Sequence, residues 1–152
     1  MNYYDQISEG YDELHQEEQI EKVQLIIDLL KITNEKVLDV GCGTAFYSYL
    51  FKDYTGIDNS KGMLDQSKSN VIHGEAENLP FKDKSFDTVI SITAIQNFTN
   101  MEKAVQEIKR VAKNKIAISI LKKSKKLNEV KLLLKDFKQT EQEKDIIFTY
   151  LF

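Results

Sequence analysis

The chain has little that would cross-link or stiffen it, with one cysteine, one proline and six glycines among 152 residues. A single cysteine excludes an internal disulfide. No Pro/Gly-rich or low-complexity stretch interrupts the pattern, so residues 1–152 read as one domain, large enough for one real core. No window approaches about 18 uninterrupted apolar residues, the length a membrane-spanning helix needs. The opening MNYYDQISEGYDEL has no basic start followed by an apolar run, so no signal peptide is expected. These absences predict a cytoplasmic location without membrane attachment. A net charge of −3 excludes a strong general attraction to nucleic acid. The two histidines and the cysteine have no metal-ligand spacing, so no metal site is expected.

What is present is a globular mixture, 41% apolar and 30% charged. Helical and strand signals alternate. Ile20, Val23, Ile26, Ile27 and Leu30 have helical spacing in 17–31, and residues 35–40 form a short apolar run ending in glycine. A short helix is expected over 45–51, a strand over 54–57, a helix capped by Ser60 to 67, and strands over 71–74 and 85–92. Asn100 can cap a helix through 113 with Met101, Ala104, Val105, Ile108 and Val111 on one stripe. Residues 116–121 then read as a strand and 124–136 as a helix, before two strands joined near Lys144 and Asp145. Strand–helix alternation implies parallel pairing through right-handed crossovers. The expected fold is an α/β, Rossmann-like, doubly wound sheet of about seven strands, mostly parallel with an antiparallel C-terminal hairpin. Residues 36–152 form its core, and 1–31 form an N-terminal segment and first helix.

In such sheets the ligand lies at the carboxyl ends of the strands. The first of these ends is VLDVGCGTA, where Gly41 and Gly43 permit a tight turn and close approach of backbone to a ligand. Phe46 stands where a dinucleotide fold wants its third glycine, and no Gly-Lys-Ser/Thr follows, so neither phosphate cradle is present. Acidic Asp39 beside such a turn suits a ligand carrying an amine. At the next end Asp58, 19 residues on, can accept the hydroxyls of a ribose, or with Ser60 simply cap a helix. At the third, Glu75 and Ala76 offer acceptors to an exocyclic amine, while Glu77 reads as solvated loop.

Amine, ribose and an adenine-like edge are the parts of S-adenosylmethionine. VLDVGCGTA, GIDNSKGML and GEAENLPFKDKSFDTVIS, in that order, resemble the class I S-adenosylmethionine-dependent methyltransferases. The likeness is greatest to the subgroup (methyltransferase type 11) that includes the ubiquinone/menaquinone-biosynthesis enzymes, and it covers about residues 3 to 121. It implies that Asp39, Gly41, Cys42 and Gly43 surround the methionine moiety and that Asp58 holds the ribose. It places Asn59 and Met63 beside the adenine and Glu75 and Ala76 at its edge. Ser91 would contribute backbone near the methionine end. YYDQISEGYDEL resembles the family's opening Tyr-Asp segment, which folds over the cofactor, with Tyr3 and Tyr11 as lid aromatics.

Two departures stand out. Lys113-Asn114-Lys115 replaces the relatives' Pro-Gly-Gly turn, and Gln96-Asn97 replaces a histidine common after the fourth strand. No histidine base is therefore available at that point. Tyr11, Gln96 and Asn97 are candidates for lining the acceptor pocket by hydrogen bonding. His73, within a short strand, reads as structural, and Cys42 as small-residue packing.

Methyl transfer is the expected activity, with S-adenosylhomocysteine as product and a small molecule as acceptor, in a monomer or homodimer. An RNA or protein methyltransferase working with a partner subunit is the alternative. SFDTVISITAIQNF also resembles tRNA wobble-uridine methyltransferases, and lysines crowd Lys113–Lys131, which a solvated helix face and loop also explains. A non-catalytic cofactor-binding module is the third possibility.

Overall fold

A computed structural model describes residues 9–152. The chain runs α1 (Glu9–Leu30), β1 (Lys36–Val40), β2 (Asp53–Asp58), α2 (Lys61–Asp65), β3 (Val71–His73), β4 (Phe86–Ile92), α3 (Met101–Val111), β5 (Ala112–Leu121), α4 (Leu127–Leu133), β6 (Lys138–Glu141) and β7 (Asp145–Leu151). The strands form one sheet in the order β3-β2-β1-β4-β5-β7-β6. Pairing is parallel from β3 through β5 and antiparallel where β7 meets β5 and β6. This is the doubly wound sheet with its closing hairpin.

Alternation along β1 divides the core. Leu38 and Val40 join Ile57, Val89, Ile116 and α3 in one cluster. Val37 faces the other way with Ile90, Ala117, Ile147 and the α1 residues Val23, Ile26 and Leu30. α3 buries the stripe Met101, Ala104, Val105, Ile108 and Val111, and the Asn100 side chain accepts its Lys103 N–H at 3.0 Å. Ser60 caps α2 in the same way.

Three local expectations are revised. The first helix, expected over 17–31, begins at Glu9 and takes in half of the segment that resembles the family's lid. Tyr3 lies outside the described residues, as does the Tyr11 side chain. Residues 45–51 hold only a 3-10 turn, Ser48–Leu50, because Ala45 is left-handed (φ 53°) and breaks the helical run before it starts. Finally, 113–115 do not form the relatives' turn: α3 passes directly into β5 at Ala112, and Lys115 pairs with Leu151 of β7. Hydrogen bonding to the neighbouring strands overrides the local turn preference of Asn114.

The strand order reverses between β1 and β4. The first outward walk takes β1 to β2 and β3, and the chain then returns to place β4 on the other side of β1. A crevice opens at the carboxyl ends of those strands.

Candidate cofactor cavity

The crevice holds a cavity of about 230 Å³ lined by Gly41, Gly43, Asp58, Asn59, Met63, Glu75 and Ala76, with Glu77, Thr93, Ala94, Asn97 and neighbours closing the rest. Each lining segment has a local reason for its course. Gly41 and Gly43 are both left-handed, at φ 79° and 57°. At Gly41 no other residue fits, since a Cβ would lie 2.5 Å from that of Ala94. The turns after β1 and β4 thus touch backbone to side chain.

Asp58 is the junction of the cavity. Its Oδ2 accepts the Gly43 N–H and its Oδ1 the Ser60 N–H, both at 2.8 Å. The carboxylate therefore ties the glycine turn to the start of α2. Each oxygen keeps a second lone pair, so a ligand hydroxyl can still be accepted. Hydrogen bonds from Gly74 N–H to the Asp58 carbonyl (3.0 Å) and between His73 Nε2 and the Asn59 carbonyl (3.1 Å) hold β3's end against β2's. Glu77 is more than solvated loop: it lines the cavity, and its Oε2 accepts the Asn100 N–H at 3.0 Å.

Asp39, Cys42, Ser91 and Gln96 do not line the cavity. Ser91 is fully buried and donates to the Val40 carbonyl at 2.8 Å, fastening β4 to β1. Cys42 packs against Gly56, and burial pushes its thiol well above the usual range, which makes it a poor nucleophile. The Gln96 side chain donates to the Thr93 carbonyl at 2.9 Å. Asp39 is completely buried beneath the glycine turn, and the hydroxyls of Tyr47 and Tyr54 both donate to its Oδ2 at 2.6 Å. Burial raises its pKa to about 6; the two tyrosines oppose that rise, and the Asp58 charge adds to it. One oxygen of the carboxylate at the end of the buried strand is thus satisfied by the protein itself, while its Oδ1 has no hydrogen-bond partner among the described residues.

At the fourth strand end the sequence points to Ser91, Gln96 and Asn97, and the structure adds Thr93, Ala94, Phe98 and Thr99 to complete that wall. Its signal was Thr93, a β-branched residue immediately after the fourth strand, in a left-handed conformation (φ 51°) that sequence does not reveal. A second cavity of about 280 Å³ adjoins the first through Phe98 and Thr99 and extends to Asn100, Glu102, Lys126 and Glu129.

Among the described residues the lining of the first cavity contains three carboxylates (Asp58, Glu75 and Glu77) and no lysine or arginine. Such a wall repels phosphate and attracts a cation. The Gly41 and Cys42 N–H groups both donate to the Ile57 carbonyl, and Gly43's goes to Asp58. The glycine turn is therefore no anion cradle. Ribose-type hydroxyls and a positively charged end suit these donors and acceptors.

Residues 38–120 match the protein family described as Methyltransferase domain. An uncharacterised protein of Methanocaldococcus jannaschii is 36% identical over 117 residues, covering 74% of this chain and 47% of its own. The demethylmenaquinone methyltransferase of Thermotoga maritima is 31% identical, covering 80% of this chain and 60% of its own. The chain thus spans about half to three-fifths of the length of these curated relatives. Among solved structures, a complex of the Haloferax volcanii Trm112 methyltransferase activator with a methyltransferase is similar in fold, with a TM-score of 0.75 at 13% identity over 94% of both chains.

Proposed function

The chain belongs to the Methyltransferase domain family, and from that premise we propose that it is an S-adenosylmethionine-dependent methyltransferase whose acceptor is a small molecule. The all-acidic lining of the main cavity carries the proposal. S-adenosylmethionine combines a sulfonium and an ammonium with one carboxylate, and its net positive charge matches three carboxylates with no opposing base.

Asp58 would accept the ribose hydroxyls through its free lone pairs, and Glu75 and Ala76 would meet the adenine edge between Asn59 and Met63. Gly41 and Gly43 present backbone to the methionine end. Asp39, Cys42 and Ser91 act beneath that surface by holding the turn. The bound sulfonium supplies the activated methyl group, so the protein's part is alignment and exclusion of water. Asn97, in the wall of the main cavity, orients the acceptor by hydrogen bonding, and the adjoining cavity beyond Phe98 receives its body. No histidine lines either cavity among the described residues, so an acceptor that must lose a proton arrives already ionised or gives it to solvent or to a lining carboxylate.

Calorimetric titration with S-adenosylhomocysteine tests the cofactor: binding with a matching thermal shift is expected, and neither effect would refute the proposal. For the acceptor, labelled methyl groups should pass into a small-metabolite pool. Label appearing in total tRNA instead would favour an RNA substrate. One observation supports that second reading: Lys122, Lys123, Lys125 and Lys126 cluster in the loop after β5, and Lys126 donates to the Gln96 carbonyl at 2.8 Å beside the cavity wall. An activator like that of the Haloferax complex would then be the partner sought. The domain lies within residues 1–152, and no helix among the described residues is long and apolar enough to cross a membrane.

A further inference from the structure

A buried ion pair lies outside the cavity. Lys22 of α1 and Asp145 of β7 have side chains only 7% and 6% exposed, with Nζ 2.8 Å from Oδ2. Apolar residues of similar size fill such a site at equal or better stability, so the pair calls for another reason. Lys22 Nζ also donates to Thr93 Oγ1 at 2.9 Å.

Thr93 is the strained residue of the cavity wall. A β-branched side chain at φ 51° is costly and persists only where its surroundings over-determine it. All of its polar atoms are held. Its N–H donates to the Ser119 carbonyl at 3.1 Å and to the Ser119 hydroxyl at 3.0 Å, and its carbonyl accepts from Gln96. Lys22 supplies the remaining tie and the only one that is charged. The bend at Thr93 turns the chain out of β4 into Ala94, Asn97, Phe98 and Thr99, which line the cavity. Ala94 in turn occupies the space a side chain at position 41 would need.

We propose that Lys22, anchored by Asp145, is a positioning residue that holds Thr93 left-handed and thereby sets the Thr93–Thr99 wall. No described side chain of α1 or β7 lines the cavity, yet the two elements govern its shape through this clamp. The cofactor assignment under Proposed function enters only through the ligand used as one readout.

Two variants remove the clamp without stranding a buried charge. T93V deletes the acceptor oxygen and leaves the ion pair whole; K22M/D145L replaces both ions by apolar groups. Native-state hydrogen exchange reads the Thr93, Asn97 and Phe98 amides, each of which is hydrogen-bonded in the structure. Both variants should exchange there at least about tenfold faster at unchanged global stability, and bind S-adenosylhomocysteine about tenfold more weakly, as for loss of a hydrogen bond from a charged donor. Glycine adopts positive φ without strain, so T93G added to K22M/D145L should restore both readouts. Wild-type exchange in T93V, or failure of T93G to restore it, overturns the proposal. A wild-type protein that ignores S-adenosylhomocysteine refutes the cofactor assignment alone, and exchange still decides the clamp.

Discussion

Replacing Asp39 with asparagine should flatten the pH dependence of stability on the acid side of neutrality. Asp39 is wholly buried, its Oδ1 has no hydrogen-bond partner, and burial lifts its pKa to about 6 from 3.8. The folded state therefore binds this proton more tightly than the unfolded chain does. The resulting stability is complete below the unfolded value and is lost as pH rises through about 6. Linkage between those two values gives a gain of about 1.4 kcal/mol on going from about pH 7.5 to 5. For a chain of this size that raises the thermal midpoint by roughly 3–6 °C. Other carboxylates act at more acid pH. Hydrogen bonds from Lys144, Arg110 and Lys109 hold Glu18, Glu107 and Asp136 below their usual values. Glu35 is also lowered, because its bonds from Lys115 and Thr33 together outweigh burial. Their contributions are present above the unfolded carboxylate range and are lost only below it. In D39N the asparagine carbonyl can accept both tyrosine hydroxyls and nothing titrates at this site, so the difference from wild type widens as pH falls through about 6. Differential scanning calorimetry across the window should show a rising midpoint for wild type and a flat one for D39N. Parallel curves would refute the assignment of a raised pKa to Asp39.

Other outcomes follow from single contacts. Asp58→Ala should weaken S-adenosylhomocysteine binding at least about tenfold by calorimetry, since it removes charge-assisted acceptors and frees the Gly43 N–H; unchanged affinity in a folded variant would remove Asp58 from the site. Gly41→Ala should destabilise the fold by at least about 2 kcal/mol in urea unfolding, because positive φ and the Ala94 overlap act together. Gly43→Ala should cost about 1 kcal/mol, since only the flexible end of Met63 approaches, at 3.4 Å. Equal losses at the two glycines would show that the close approach of Ala94 is unimportant.

Elements with a local signature were legible. Caps at Ser60 and Asn100, the α3 stripe and the apolar strands each depend on neighbours a few residues apart, and the structure reproduces them. The cavity segments at Gly41–Gly43, Asp58–Met63 and Glu75–Ala76 were legible because each lies at a strand's carboxyl end, and strand order brings those ends together. The helix expected over 45–51 failed because a left-handed Ala45 cannot be seen in its side chain. The relatives' turn is absent at 113–115 because strands β4 and β7 impose extended backbone there.

The sequence by itself determined the α/β sheet, the glycine turn that refuses a phosphate, and the acidic Asp58 and Glu75 at the strand ends that line the cavity. Only tertiary structure decided what becomes of the charges that local pattern leaves open. Asp39 is taken by tyrosines 8 and 15 residues away rather than by a ligand. Lys22 finds Asp145 and Thr93 across 123 and 71 residues of chain. Helix and strand periodicities report neighbours within a few residues, whereas these partners meet only because the sheet stacks distant strand ends side by side.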